Sequence, residues 1–142
     1  MTDLGLADLL GLASRLAAVI CAGDVVALSG DLGAGKTSLA RGVLRGLGYI
    51  GEVPSPTFTL VQHYDTVPEV WHVDLYRLSS AEEADSLGLW ETDAALLIEW
   101  PERLGTRLPA EALILRLEGA GDMPRRLTAT VPKAWEGRWP PR

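Results

Sequence analysis

A single cysteine, Cys21, stands in the 142 residues of this chain. An internal disulfide and a cysteine-based zinc site are therefore excluded, and a reducing, cytoplasmic setting is expected. Cys21 itself reads as a small buried hydrophobe at a helix end. Histidine is nearly as scarce: His63 and His72 are too few to argue a transition-metal site. Positive charge is also short, with 13 lysines and arginines against 19 acids and a formal net charge of -6. That balance leaves no basic footprint for gripping a phosphodiester backbone, so any relation to nucleic acid is expected to be indirect. The opening MTDLGLADLL carries Asp3 and Asp8 where an export signal needs positive charge. The apolar stretch after it is interrupted by Arg15 and Asp24, far short of the roughly 20 apolar residues of a membrane-spanning helix. A soluble protein is expected.

Apolar residues make up 47% of the chain, enough to fill one core, so residues 1–142 are expected to form a single domain. Leucines recur at helical spacing between Leu4 and Ile20, after Thr2 and Asp3 as N-terminal caps. Val25-Val26-Ala27-Leu28 has the uniformly apolar character of a strand covered on both faces. A second helix is predicted over about Lys36 to Leu47, ending at Gly48. Thr57 to Tyr64 and Val70 to Leu75 read as the arms of a β-hairpin, and Ser79 or Ser80 as the cap of a helix closing before Gly88. Ala95 to Ile98 is another short apolar strand, followed by strands at about Ala112 to Leu117 and Leu127 to Val131. From Trp135 onward the composition suggests a loosely held tail. The fold class implied is a three-layer α/β domain with a mainly parallel central sheet, a hairpin contribution and a phosphate-binding loop after its first strand.

That loop is Gly30-Asp31-Leu32-Gly33-Ala34-Gly35-Lys36-Thr37, which meets G-x-x-x-x-G-K-[ST] at every fixed position. Glycines let successive backbone N–H groups turn inward without a clashing Cβ, and the following helix offers its N-terminal dipole to the same anion. Lys36 is placed to reach the β and γ phosphates, and the Thr37 hydroxyl to ligate magnesium. The chain has only two lysines, Lys36 and Lys133, so a chance match is rare. Acids at neighbouring strand ends are needed to hold the metal and place water. Glu99 directly follows a buried-type strand. Asp74 lies inside the apolar and aromatic stretch Val70 to Tyr76, where an acid is costly unless paired or facing a cation, and Arg77 is its alternative partner. His72 shares the face of Asp74 and reads as a packed or hydrogen-bonded structural histidine. Trp100 is either a pocket wall or core.

With these residues in order, the sequence resembles the TsaE family, small bacterial ATPases needed for threonylcarbamoyladenosine (t6A) modification of tRNA. The resemblance rests on Leu28 to Thr37, Arg41-Gly42, Ser55-Pro56-Thr57-Phe58-Thr59-Leu60-Val61, His72-Val73-Asp74-Leu75-Tyr76-Arg77 and Ile98-Glu99-Trp100-Pro101. It implies ATP and Mg2+ as cofactors, with Asp31, Leu32, Gly33, Ala34, Gly35, Lys36, Thr37 and Ser38 around the nucleotide, joined by Thr57 and Trp100. It implies Thr37, Glu99 and Asp74 as metal partners, and Asp74, Glu99 and Lys36 as the catalytic set, the two acids being interchangeable in role. Ser55 to Thr57 would belong to a loop near the γ-phosphate that orders on ATP binding. The partners implied are the TsaB and TsaD proteins, with tRNA reached only through that complex. Beyond Pro109 the resemblance weakens, leaving Arg125 and Arg126 as either nucleotide contacts or surface charges. A small-molecule kinase would use the same loop, but no arginine-bearing lid insertion is evident. A guanine reader with an N-K-x-D motif is excluded, because the chain contains no asparagine.

Overall fold

The computed structural model describes residues 2–31, 34–54, 60–119 and 124–141, with the side chains of residues 2–4 and 6 left aside. Seven strands form one sheet in the order β1-β7-β6-β2-β5-β4-β3. They are β1 (Thr2–Leu4), β2 (Val25–Gly30), β3 (Val61–Tyr64), β4 (Val70–Asp74), β5 (Ala95–Glu99), β6 (Leu113–Glu118) and β7 (Arg125–Thr130). The middle of the sheet, β6-β2-β5-β4, is parallel, and the three outer pairings are antiparallel. β3 and β4 make the predicted hairpin. The phosphate-loop strand is the second of the chain rather than the first, because β1 precedes it and pairs with β7.

Burial explains which segments sit in the middle. All six residues of β2 and all five of β5 are buried, as parallel strands covered on both faces require. In β6 the alternating residues Leu113, Leu115 and Leu117 are buried while Arg116 and Glu118 face water, the pattern of a strand nearer the edge. On one face α1 (Leu6–Val19) and α2 (Lys36–Gly46) cover Val26, Leu28, Leu97, Leu113 and Leu115. On the other face the 3-10 segments Ala81–Leu87 and Pro101–Arg107 help enclose Val73, Leu75, Leu96 and Ile98. Three layers result.

The two α-helices meet along small residues. A Cβ on Gly42 would lie 2.6 Å from the Ala13 methyl, and one on Gly46 would lie 2.7 Å from that of Ala17. This close approach sets the spacing of α2 from α1.

Several local expectations are corrected. The cap of α1 is Gly5, whose amide donates to the Asp8 carboxylate at 3.1 Å, rather than Thr2 or Asp3, which lie in β1. The segment after Ser80 is 3-10, a form suited to one short run carrying Asp and Ser. Cys21 is exposed, because α1 ends at Val19 and Cys21 falls in the turn beyond. The tail is pinned rather than loose. Trp135 is fully buried, Arg138 stacks 4.0 Å over its ring, and the same guanidinium donates to Asp24 at 2.7 and 3.1 Å and to the Val19 carbonyl at 3.1 Å. The ion pair with Asp24 raises the pKa of Arg138 above its already high ordinary value. No helix among the described residues is long and apolar enough to cross a membrane.

Candidate nucleotide site at the strand ends

β2 runs directly into the glycine-rich loop, and α2 begins at Lys36 on its far side. Two glycines make this turn possible. Gly30 has φ +140 and Gly35, the cap of α2, has φ +103, both in the region that L side chains rarely adopt. The first turn of α2 leaves N–H groups without intrahelical partners, the usual anchor for an anion. Leu32 and Gly33 lie outside the described residues, as do Ser55, Pro56 and Thr57.

Lys36 is buried and turns back over the loop. Its ammonium donates to the Gly30 carbonyl and approaches the Asp31 carbonyl at 3.4 Å, with Nζ 3.6 Å above the centre of the Trp100 ring. Burial lowers the pKa of Lys36, while the carboxylates of Glu99, Glu102, Asp74 and Asp31 oppose that shift. Trp100 is thus a wall beside the loop and not part of either core interior. It holds a left-handed backbone, φ 60 and ψ 51, and its ring lies 4.9 Å from that of Tyr76. A non-glycine residue in this conformation is held there by its surroundings, here Pro101 behind it and the amide bond to the Leu28 carbonyl at 3.3 Å.

The acids gather by register. β5 lies between β2 and β4, and Glu99 is the partner of Leu28 on one side and of Asp74 on the other. Both carboxylates therefore emerge at the same end of the sheet, on the face covered by α2. Thr37, in the first turn of α2, donates its hydroxyl to Glu99, with Oγ1 at 2.9 and 3.0 Å from the two carboxylate oxygens. Asp74 is buried, and its Oδ1 accepts the Tyr76 amide at 2.9 Å. His72, two residues earlier on β4 and wholly buried, places Nε2 2.6 Å from Oε2 of Glu99, one of the two oxygens that Thr37 also reaches. Ala34, Gly35 and Ser38 belong to the same turn, and Arg125 on β7 donates its Nε to the Ala34 carbonyl at 2.9 Å. Asp31 is exposed at the mouth.

The donor set can be tested against magnesium. Two oxygens bound at right angles to an ion with bonds of about 2.0–2.1 Å lie about 3 Å apart, which the Thr37 and Glu99 oxygens match. No cluster of three or more His, Cys, Asp or Glu suited to a metal occurs among the described residues. One carboxylate plus one hydroxyl is the sparse protein contribution typical of an ion otherwise coordinated by phosphate and water. Glu99 touches Thr37 directly, and Asp74 accepts the Tyr76 amide within its own turn. Both acids are legible in the sequence, whereas the His72 contact with Glu99 has no signal there beyond the two-residue spacing of His72 to Asp74. The sequence does not distinguish Arg125 from Arg126, and the structure places Arg125 on the loop.

Comparison with known proteins agrees with this architecture. The family model described as "Threonylcarbamoyl adenosine biosynthesis protein TsaE" matches residues 5–127. Relatives from several bacteria carry the name tRNA threonylcarbamoyladenosine biosynthesis protein TsaE. That of Haemophilus influenzae is 44% identical over 98 residues, a match spanning 66% of this chain and 62% of the relative. That of Bacillus subtilis is 41% identical over 124 residues, 84% of this chain and 77% of the relative. That of Streptomyces coelicolor is 41% identical over 129 residues, 84% and 87% respectively. Among solved structures, Bacillus subtilis YdiB superposes with a TM-score of 0.77 at 32% identity, covering 94% of this chain and 86% of that one.

Proposed function

The chain belongs to the TsaE family, and from that premise we propose that it is a magnesium-dependent ATPase that serves t6A modification of tRNA by acting on the TsaB–TsaD pair. The relatives' shared name supports the pathway. The observation that carries the ATPase reading is the contact of the Thr37 hydroxyl with the Glu99 carboxylate at the mouth of the glycine-rich turn.

Each residue then has a physical task. The α2 N-terminus and the loop backbone bind the phosphates, and Lys36 follows the charge that develops on the terminal phosphoryl oxygens. Lys36 is already held over the turn by the Gly30 carbonyl and the Trp100 ring, so little rotamer freedom remains to be lost. Thr37 and Glu99 hold magnesium, which supplies positive charge to the phosphate oxygens when bound. Asp74, at the matching rung of β4, orients the attacking water. Trp100 and Tyr76 screen the turn from bulk solvent. The acidic surface balance suits an indirect relation to RNA, through protein partners.

The test is phosphate release from ATP, measured with and without TsaB and TsaD and with GTP as control. Slow turnover stimulated by the partners is expected. Lys36→Ala should abolish tight nucleotide binding or turnover, and Glu99→Ala should spare some binding while crippling hydrolysis. Normal turnover by Glu99→Ala would remove the assignment of this acid, and labelled phosphate on an acceptor molecule would favour a kinase instead.

A further inference from the structure

His72 is the one wholly buried imidazole of the site, and packing alone does not account for its bonds. Its Nε2 lies 2.6 Å from Oε2 of Glu99, while its Nδ1 is buried with no hydrogen-bond partner among the described residues. A carboxylate oxygen accepts, so Nε2 must carry the hydrogen. Thr37 reaches both oxygens of the same carboxylate from the loop side. Glu99 is therefore held by residues of two elements, Thr37 of α2 and His72 of β4, and β4 is a parallel neighbour of its own strand.

We infer that His72 is a positioning residue: its Nε2–H fixes the rotamer of Glu99 so that the carboxylate faces Thr37 and a divalent cation. This deepens the ATPase reading and rests on it. Groups that hydrogen-bond a metal-binding carboxylate typically govern about 10- to 100-fold of metal affinity, and that is the scale expected here. The inference assigns His72 no contact with substrate.

The experiment is calorimetry of ADP binding to the full chain in excess Mg2+ and in EDTA, taking the ratio of the two affinities as the readout. Wild type, His72→Phe and His72→Gln are compared. Phenylalanine keeps a ring without a donor, and glutamine offers an amide N–H at about the reach of Nε2. The ratio should fall about 10- to 100-fold in His72→Phe and recover largely in His72→Gln. A role confined to packing would shift thermal stability and leave the ratio alone, or would penalise glutamine as much as phenylalanine; either result overturns the inference. A wild-type chain whose affinity is the same in Mg2+ and EDTA overturns the ATPase reading itself, and this inference with it. If the variants do not fold, long-range 1H–15N correlation on the wild-type imidazole decides: a hydrogen on Nε2 is expected, and an Nε2 without one refutes the proposal.

Discussion

Replacing Gly30 by alanine separates backbone strain from steric contact at the start of the phosphate loop. Gly30 is the last residue of β2 and pairs with Leu117 of β6. Its φ is +140, and an added Cβ would lie 2.2 Å from the Leu117 carbonyl oxygen, well inside the 3.0 Å that such contacts essentially never breach. Gly23 is the natural control, with φ +83 and nothing within 4 Å of its added Cβ. Left-handed backbone alone costs an L residue about 1–2 kcal/mol, and both variants carry that cost. Only Gly30→Ala must also displace a main-chain oxygen of the sheet, which has no rotamer to escape into; overpacking of this kind adds about 1–3 kcal/mol. The totals are about 2–5 kcal/mol for Gly30→Ala against about 1–2 for Gly23→Ala. Urea denaturation measures both from the shift in midpoint. The strand end also bears the carbonyl that receives Lys36, so nucleotide affinity should fall in Gly30→Ala and persist in Gly23→Ala. Equal destabilisation of the two variants, within about 0.5 kcal/mol, would refute the steric reasoning.

Three further outcomes follow from the same geometry. Tyr64 is buried with its hydroxyl unpaired among the described residues, so Tyr64→Phe should be neutral or stabilising by about 1 kcal/mol at pH 8. Burial raises the Tyr64 pKa above its ordinary 10.0, so its contribution is complete below pH 10 and is lost as pH rises through the folded value. The wild type should therefore weaken relative to Tyr64→Phe above pH 10, and denaturation curves at pH 8 and pH 10.5 that differ by the same amount would contradict this. Trp135→Ala should cost about 3–5 kcal/mol in chemical denaturation, the scale of a buried aromatic truncation, whereas a loose tail would lose almost nothing. Lys36 faces four carboxylates, so ADP should bind at least about tenfold more tightly with Mg2+ than with EDTA, and equal calorimetric affinities would count against a metal at Thr37 and Glu99.

What was legible in the sequence was what is local. The glycine-rich turn announces itself because its residue types and spacing come from one contiguous stretch, and the strands on either side of Glu99 and Gly30 follow from short apolar runs. The resemblance to the family came from blocks of the same contiguous kind. What was not legible depends on strand order. Glu99 touches His72 across 27 residues only because β5 lies beside β4, and nothing in the local pattern of either strand states that neighbourhood. The tail failed for a similar reason. Trp, Pro and Arg at the end of a chain resemble solvated composition, yet Arg138 finds Asp24 at a separation of 114 residues and carries Trp135 into the core beside α1 and α2. Cys21 failed by a shift of phase, since one residue decides whether a helix end packs or turns outward.

Charge links these pieces. A glycine-rich turn with one lysine is a general device for holding an anion, and by itself it needs no acid nearby. Here the sheet order brings Asp74 and Glu99 to one end in matched register, and the charges of Glu99, Glu102, Asp74 and Asp31 act on the lysine against the effect of its burial. Buried like charges at adjacent strand ends are unfavourable unless something opposes them. Thr37, His72 and the Tyr76 amide each donate to one of those two carboxylates, which offsets part of the cost within the protein. Under the proposed function, carboxylates so placed would favour a polyphosphate that arrives with a divalent cation over one that arrives alone. If the chain binds nucleotide as proposed, a preference for the metal-bound form would rest on the order of three strands as well as on the loop, because that order alone brings Asp74 and Glu99 together.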